Sequence, residues 1–227
     1  MKKIKIGFLL VLGLCALSSC NDMNDNIDQY LSGGETIYIA KSDSVKLYPG
    51  KNRFLVQFWI KDPRAVSMDI QWNQGKSSQQ VAIAKGHDIT EPIEAYVENL
   101  EDGDYTIKLV TMDVHGNKSV PDEYSVIVYG ATYQSMLMTR TVKAKAVSGS
   151  DVTITWGNSY SSQEVGVNVY YTDTSGAAKS VSLLSAELGS KTTLKNVDVT
   201  KEISYETVYL PSENAIDYFY TDRKVIE

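Results

Sequence analysis

Residues 100–109 of this 227-residue chain read LEDGDYTIKL, and this stretch decides the fold that the sequence predicts. It resembles the tyrosine corner of β-sandwiches, in which a leucine ends one strand, a glycine makes the crossing turn and a tyrosine begins the next strand. The tyrosine hydroxyl of such a corner donates a hydrogen bond to the upstream backbone, while the ring enters the core. We therefore expect Tyr105 to be buried, with its hydroxyl bonded to the backbone.

The sequence on both sides of this corner alternates apolar and polar residues. The alternation is clearest in residues 54–60, 68–72 and 105–109. A period of two is typical of antiparallel strands with one buried face. About seven strands of this kind lie between Thr36 and Gly130, which suits one β-sandwich of the immunoglobulin or fibronectin type III kind.

Residues 131–227 repeat this plan less regularly. Alternation indicates strands at residues 152–156, 165–171 and 203–207, but the tyrosine-corner pattern is absent from this half of the sequence. We predict an all-β protein in which two such sandwiches, residues 36–130 and 131–227, follow each other in tandem.

The junction between the two predicted sandwiches has almost no linker, because apolar residues run to Val128 and resume at Tyr133. A short connection favours an interface between domains. Met136, Leu137 and Met138 are together too apolar to lie in water. We therefore expect residues 133–138 to pack between the sandwiches and to join them into one semi-rigid rod; the alternative is that Met136 to Met138 form a partner-binding patch.

The chain begins with MKKIKIGFLLVLGLCALSSC, which has the features of a signal peptide in residues 1–19. Three lysines precede an apolar run, residues 6–16, that is too short to span a bilayer. The final LSSC resembles the lipobox of bacterial lipoproteins, whose cysteine carries the lipid and becomes the mature N-terminus. We therefore expect Cys20 to be acylated and to attach the protein to a membrane. The alternative is an ordinary secretory signal with a coincidental cysteine.

Residues 20–35 are acidic, with four carboxylates, no basic residue, few apolar side chains and two adjacent glycines. Such a composition cannot bury a core, so we expect a solvated tether between the lipid and the first sandwich.

With these features, the whole chain resembles a domain-of-unknown-function family of Bacteroides-type lipoproteins with tandem fibronectin-type-III-like domains. The likeness is carried by GGETIY (33–38), DSVKLYPGKNR (43–53), DIQWNQGK (69–76) and VYLPSENAIDYFYT (208–221). The resemblance implies a cell-envelope protein, often found beside machinery that captures polysaccharides, and it carries over no catalytic or ligand-binding residue. Asp22 and Asp25 also resemble the acid-rich export signal of these lipoproteins. The expected location is therefore the outer membrane, with the protein facing the cell exterior.

Composition excludes several classes of function. The chain has 28 acidic and 22 basic residues, a net charge of −6, which argues against nucleic acid as a partner. Cys15 leaves with the signal peptide and Cys20 is acylated, so no thiol remains for a disulfide, a metal or a nucleophile. We expect no cofactor and no metal.

The histidines offer weak alternatives to this expectation. Asp113 and His115 are two residues apart and could present two metal ligands on one face of a strand. In the sequence DVHGN, however, the aspartate is expected to cap the backbone of its own turn. The pair His87–Asp88 is no stronger as a metal site.

Aromatic residues are the candidate ligand contacts. Trp72 and Trp156 share strand faces with apolar residues, so we expect both in the core. Trp59 lies on the face opposite Phe58 and its apolar neighbours. The candidate ligand-contacting aromatics are Trp59, Tyr96, Tyr170 and Tyr209.

These observations predict a non-catalytic, lipid-anchored binding or display protein with a surface glycan or an envelope protein complex as its partner. One alternative is a structural spacer or assembly subunit; another is a weak carbohydrate-active hydrolase, which would need two exposed carboxylates beside a groove. Asp43-Ser44-Val45 also matches the short O-glycosylation pattern of Bacteroides, with Ser44 as the acceptor. An unmodified strand edge explains the same residues.

Replacement of the proposed lipidation site tests the anchor. Each buried methylene contributes about 0.8 kcal/mol, and two or three acyl chains are needed for firm attachment. We expect Cys20→Ala to move the protein from the membrane pellet to the soluble fraction in cell fractionation. A variant that still pellets with membranes would contradict the lipobox interpretation.

Overall fold

The computed structural model describes residues 37–227, and within this range the protein is all-β, with antiparallel strands in four sheets. The signal peptide, Cys20 and the tether that the sequence predicts lie outside the described residues. Ile39–Glu227 forms one compact unit.

The first sandwich, in residues 37–130, has seven strands that form two sheets. They are β1 (Ser44–Pro49), β2 (Phe54–Trp59), β3 (Ala65–Trp72), β4 (Ser77–Ala82), β5 (Ile93–Val97), β6 (Gly103–Asp113) and β7 (Asp122–Val128). One sheet has the order β1-β2-β5 and the other β4-β3-β6-β7. Phe58 of the first sheet and Ile70 and Ile107 of the second are fully buried in one core cluster. The alternation read from the sequence therefore becomes the shared interior of the two sheets.

The second sandwich repeats this arrangement. Its elements are α1 (Ala131–Ser135), β8 (Val142–Ser148), β9 (Asp151–Trp156), β10 (Glu164–Thr172), β11 (Ala178–Leu184), α2 (Ser185–Leu188), β12 (Lys191–Leu194), β13 (Ser204–Tyr209), β14 (Phe219–Tyr220) and β15 (Lys224–Val225). One sheet has the order β12-β9-β8; the other has the order β11-β10-β13-β14, and β15 also pairs with β13. A separate core cluster contains Ile154, Trp156 and Val169. The protein is therefore a tandem of two β-sandwiches of the immunoglobulin and fibronectin type III kind.

The tyrosine corner forms in the first sandwich as the sequence predicts. The Tyr105 hydroxyl donates a hydrogen bond of 3.0 Å to the carbonyl of Glu101, and Leu100 is buried. Gly103 has a φ of 155°, which side-chain-bearing residues rarely adopt, so the crossing turn requires a glycine. The expectation that Tyr105 is buried is met only in part, because the residue is half-buried and packs against the first core.

The second sandwich uses a different anchor. The hydroxyl of Tyr205, at the start of β13, donates a 2.6 Å hydrogen bond to the carbonyl of Arg140. The Arg140 side chain is buried and forms a 2.7 Å ion pair with Glu164, and its Nε donates to the carbonyl of Gly157. These bonds fix the chain after α1 to the second sandwich, because separation of the pair would leave an uncompensated charge in the interior.

Removal of one hydroxyl tests the corner. We expect Tyr105→Phe to lower the free energy of unfolding by about 1 kcal/mol, because the exposed Glu101 carbonyl can be rehydrated and only the net hydrogen bond is lost. The matched control is Tyr96→Phe, whose ring is exposed, and it should melt at the parent temperature. Equal melting temperatures for Tyr105→Phe and the parent would contradict a stabilising role of the corner.

Candidate functional site

The two sandwiches are held together by residues 210–218, the loop between β13 and β14. The Arg53 guanidinium of the first sandwich binds both oxygens of Asp217, with Nε–Oδ2 and Nη2–Oδ1 distances of 2.9 and 2.7 Å. The backbone N–H of Lys51 also donates to Asp217. These donors hold the pKa of Asp217 below its usual range, the Arg53 hydrogen bonds being the largest cause. We call this contact the latch.

Backbone contacts extend the latch along β1 and its following turn. The N–H of Ile216 donates to the carbonyl of Pro49 at 2.9 Å, and the Asn214 amide donates to the carbonyl of Leu47 at 3.0 Å. Gly50 lies beneath the loop, where an added Cβ would be 2.5 Å from Asp217 Oδ2. Any side chain at this position would push the loop away from the first sandwich.

An aromatic cluster fills the junction behind the latch. The rings of Tyr129, Tyr133 and Phe219 meet edge to face, with Tyr133 4.9 Å from Tyr129 and 5.0 Å from Phe219 between centroids. Desolvation raises the pKa of Tyr133 to about 12. The Lys51 ammonium lies 5.5 Å from the Phe219 centroid. The cluster therefore supplies the apolar part of the interface, with a cation over one of its rings.

The expectation that residues 133–138 pack between the sandwiches holds for Tyr133, whose ring contacts Tyr129 and Phe219, and is wrong for Met136, Leu137 and Met138. Met136 and Met138 are 67% and 53% exposed, and Leu137 is half-buried. The Met138 backbone is bound to the second sandwich through its carbonyl, which accepts a 2.6 Å hydrogen bond from Tyr209. The latch loop and the aromatic cluster fill the interface in their place.

A groove of about 810 Å³ lies on the second sandwich beside α1, and we call it the junction groove because α1 directly follows the junction. It is lined by Ala131, Gln134, Ser135, Leu137, Met138, Thr139, Thr141, Tyr160, Tyr220, Thr221, Asp222 and Lys224. Ligand sites are commonly about 300–1,000 Å³, so the size of this groove, which is lined by the second sandwich alone, suits a binding site. Leu137 and Met138 thus form part of its wall.

The side chains in the junction groove combine exposed aromatic rings with polar groups. Tyr160 is 50% and Tyr220 39% exposed. Gln134 is held in place, since its amide donates to the carbonyl of Tyr220 and its oxygen accepts from Lys51. Asp222 is the one carboxylate among the lining residues. Two-carboxylate glycoside hydrolysis therefore lacks its second acid here.

The sequence of residues 20–219 matches the profile of DUF4998, a domain of unknown function. The chain belongs to this family. No curated protein matches it. Among solved structures it is similar to the FN1–FN3 domains of chicken CNTN1, with 14% identity, a TM-score of 0.40 and coverage of 83% of this chain and 67% of that one. It is also similar to a two-domain fibronectin type III segment of chicken tenascin, with 11% identity, a TM-score of 0.32 and coverage of 82% and 98%.

Two of the four aromatic residues that the sequence predicts as ligand contacts, Trp59 and Tyr96, lie in one sheet of the first sandwich of this DUF4998 protein. Trp59 is half-buried on β2, donates its indole N–H to the carbonyl of Thr90 at 3.1 Å and has Lys46 5.5 Å from its ring. Tyr96 on β5 is 45% exposed, with the Arg53 guanidinium 5.3 Å from its ring. Both remain predicted ligand contacts on this sheet.

The other two nominated aromatics have defined roles in the second sandwich. Tyr170 is half-buried beneath Arg223, whose guanidinium is 3.6 Å from the ring centroid, and its hydroxyl donates to Glu206 at 2.7 Å. The prediction of a surface position for Tyr209 is wrong, because only 2% of this residue is exposed. Tyr209 follows the inward parity of Tyr205 and Thr207 on β13, a signal that the sequence already contained.

The remaining sequence expectations fall on described residues. Ser44 is exposed at the start of edge strand β1 and stays a predicted glycosylation acceptor. Trp156 is buried and Trp72 packs half-buried against the first core, as expected. Asp113 accepts the backbone N–H groups of His115 and Asn117, so it caps its own turn as the motif indicates.

The described residues hold no group of three or more His, Cys, Asp or Glu side chains that could bind a metal ion. Residues 37–227 also contain no helix long and apolar enough to cross a membrane.

Loss of the latch should loosen the two sandwiches. We expect Arg53→Gln to let them reorient more independently, because the loop loses its bidentate ion pair, and NMR relaxation of backbone amides measures this. Arg64→Gln is the matched control, because Arg64 makes a similar bidentate pair with Asp62 inside the first sandwich. Equal tumbling of the parent and Arg53→Gln would contradict the latch.

The pH dependence of the latch follows from the lowered pKa of Asp217. A carboxylate with a lowered folded-state pKa stabilises the structure above its ordinary pKa and loses this effect as the pH falls through the lowered value. We expect the sandwiches to stay coupled at neutral pH and to loosen only in acid below the ordinary carboxyl range. Relaxation measured along a pH series checks this, and loosening near neutrality would contradict it.

Proposed function

We propose that this protein is a lipid-anchored, non-catalytic binding and display protein on the outer face of the outer membrane, and that it binds a neutral glycan in the junction groove. The observation that carries the proposal is the groove itself, which places Tyr160 and Tyr220 beside hydroxyl and amide groups next to α1, at the start of the second sandwich.

The chemistry of the junction groove favours a neutral, hydroxyl-rich ligand. Aromatic faces pack against the apolar face of a sugar ring, and the threonine, serine and glutamine groups of the lining can exchange hydrogen bonds with its hydroxyls. Asp222 and Lys224 carry opposite charges, so the lining is neutral although the chain carries −6. An anionic ligand would gain no net attraction there.

The latch supports binding because it fixes the groove before the ligand arrives. Gln134 of α1 lines the groove, and its hydrogen bonds with Lys51 and with the Tyr220 carbonyl connect α1 to both sandwiches. A pre-formed site loses less conformational entropy on binding than a flexible one.

The anchor and the tether of this proposal come from the sequence. Acylation of Cys20 would attach the chain to the membrane, and residues 20–35 would hold the described unit away from it. The acids Asp22 and Asp25 are the proposed export signal.

Protease treatment of intact cells tests the location. We expect added protease to remove the unaltered protein, because it faces the exterior, and the double variant Asp22→Ala with Asp25→Ala to be protected. Protection of the unaltered protein would place it on the periplasmic side.

The second candidate function is a structural spacer or assembly subunit of an envelope complex. The latch favours it, because a fixed pair of sandwiches suits a stiff arm as well as a binding module. A spacer needs no ligand in the junction groove, so glycan binding separates the two functions.

A glycan array tests the proposal on the mature chain made soluble by Cys20→Ala. We expect binding to neutral glycans, and we expect Tyr160→Ala to weaken it by about tenfold, or 1.4 kcal/mol. The matched control, Tyr38→Ala, removes an exposed tyrosine that lines no groove, and it should bind like the parent. Absence of glycan binding would contradict the proposal and favour the spacer; loss of binding in Tyr96→Ala alone would move the site to the first sandwich.

A further inference from the structure

A second groove lies on the outer face of the larger sheet of the second sandwich, and we call it the sheet groove. Its volume is about 250 Å³, and it is lined by Val165, Gly166, Val167, Asn168, Ser182, Leu183, Leu184, Val208, Tyr218 and Tyr220. Within this lining no side chain is charged at neutral pH. The sheet groove is smaller than the usual 300–1,000 Å³ of a complete ligand site, so by itself it suits only part of a ligand.

The register of the sheet explains its shape. Gly166 of β10 pairs with Leu184 on one side and with Val208 on the other, and Val208 pairs with Tyr220. Gly166 has no side chain, and an added Cβ would collide with the carbonyl oxygen of Leu183. The outer surface of the sheet therefore has a depression at Gly166, and the exposed side chains of Leu184 and Tyr218 form its raised edges.

Polar groups at one end of the sheet groove are already oriented. The Ser182 hydroxyl donates to Asn168 Oδ1 at 2.8 Å, and the Asn168 amide donates to Glu206 at 3.1 Å. These bonds fix the orientation of the Asn168 amide, so the hydrogen-bonding positions that they leave unused are also fixed in orientation. A fixed neutral amide beside tyrosine rings repeats the chemistry of the junction groove.

Tyr220 lines both grooves. Its neighbours Phe219 and Thr221 are buried, and the Thr221 hydroxyl accepts the backbone N–H of Thr207. The Tyr220 carbonyl accepts from Gln134. The backbone on both sides of Tyr220 is therefore fixed, and its exposed ring stands at the border between the two grooves.

We infer that the two grooves are one binding surface for an extended neutral oligosaccharide whose chain passes over Tyr220, with at least one sugar in each groove. The inference rests on the proposed function and adds the length and the path of the ligand. A monosaccharide would fill one groove and leave the other unused. A linear chain contacts Tyr160 in the junction groove, then Tyr220, then Tyr218 in the sheet groove.

Oligosaccharides of increasing length test this inference. The probes are the malto-, cello-, xylo- and manno-oligosaccharide series, from the monosaccharide to the hexasaccharide, titrated calorimetrically into the mature chain made soluble by Cys20→Ala. We expect at least one series to bind with an affinity that rises with length, by about tenfold or 1.4 kcal/mol between the shortest and longest members.

Two variants separate the grooves. Tyr218→Ala should abolish the gain with length and leave the affinity for short members unchanged, because it alters only the sheet groove. Tyr220→Ala should weaken the binding of short and of long members, because Tyr220 lines both grooves. Tyr38→Ala is the control for an exposed tyrosine outside the grooves, and the melting temperature of each variant checks that it is folded.

The outcomes distinguish this inference from the proposed function. Equal affinity for short and long members, or a length gain that survives Tyr218→Ala, would overturn the extended surface and leave glycan binding intact. Absence of binding by every series would overturn both.

Discussion

The bidentate ion pair between Arg53 and Asp217 is the contact on which the arrangement of the two sandwiches depends. An arginine fork matches a carboxylate in geometry as well as in charge, so the pair fixes an orientation and does not merely attract. Gly50 allows the loop to approach closely enough for it to form. Without this approach, Asp217 could not reach the Arg53 guanidinium and the Lys51 N–H of the first sandwich.

The fold follows from the sequence where a local rule is strong. The LEDGDY corner, the alternating strands and the Asp113 turn all form because neighbouring residues alone decide them. The site does not follow in this way. Tyr160 and Tyr220 are 60 positions apart in the printed sequence, and they reach one groove only through the packing of the second sandwich on α1. The burial of Tyr209 follows from a local rule, because the inward alternation of Tyr205 and Thr207 continues to the end of β13.

The methionine segment shows how a correct physical premise can lead to a wrong position. Three consecutive apolar residues do favour burial, but the hydrogen bonds of Met138 and Arg140 to the second sandwich decide the path of the chain. The side chains of Leu137 and Met138 then line the junction groove. Apolar surface in such a groove contributes to stability only when a ligand or partner covers it. The buried Arg140–Glu164 pair helps to fix this path of the chain.

The position of the latch loop in the sequence has a consequence for the order of folding. The buried core of the first sandwich draws only on residues 39–128, so this sandwich can fold as a unit before the C-terminal half is in place. The loop that carries Asp217 lies between β13 and β14, and β14 and β15 complete the second sheet after it. The finished first sandwich is therefore a template on which the last strands of the second are set, and a C-terminal truncation would remove the coupling between the halves while sparing the first.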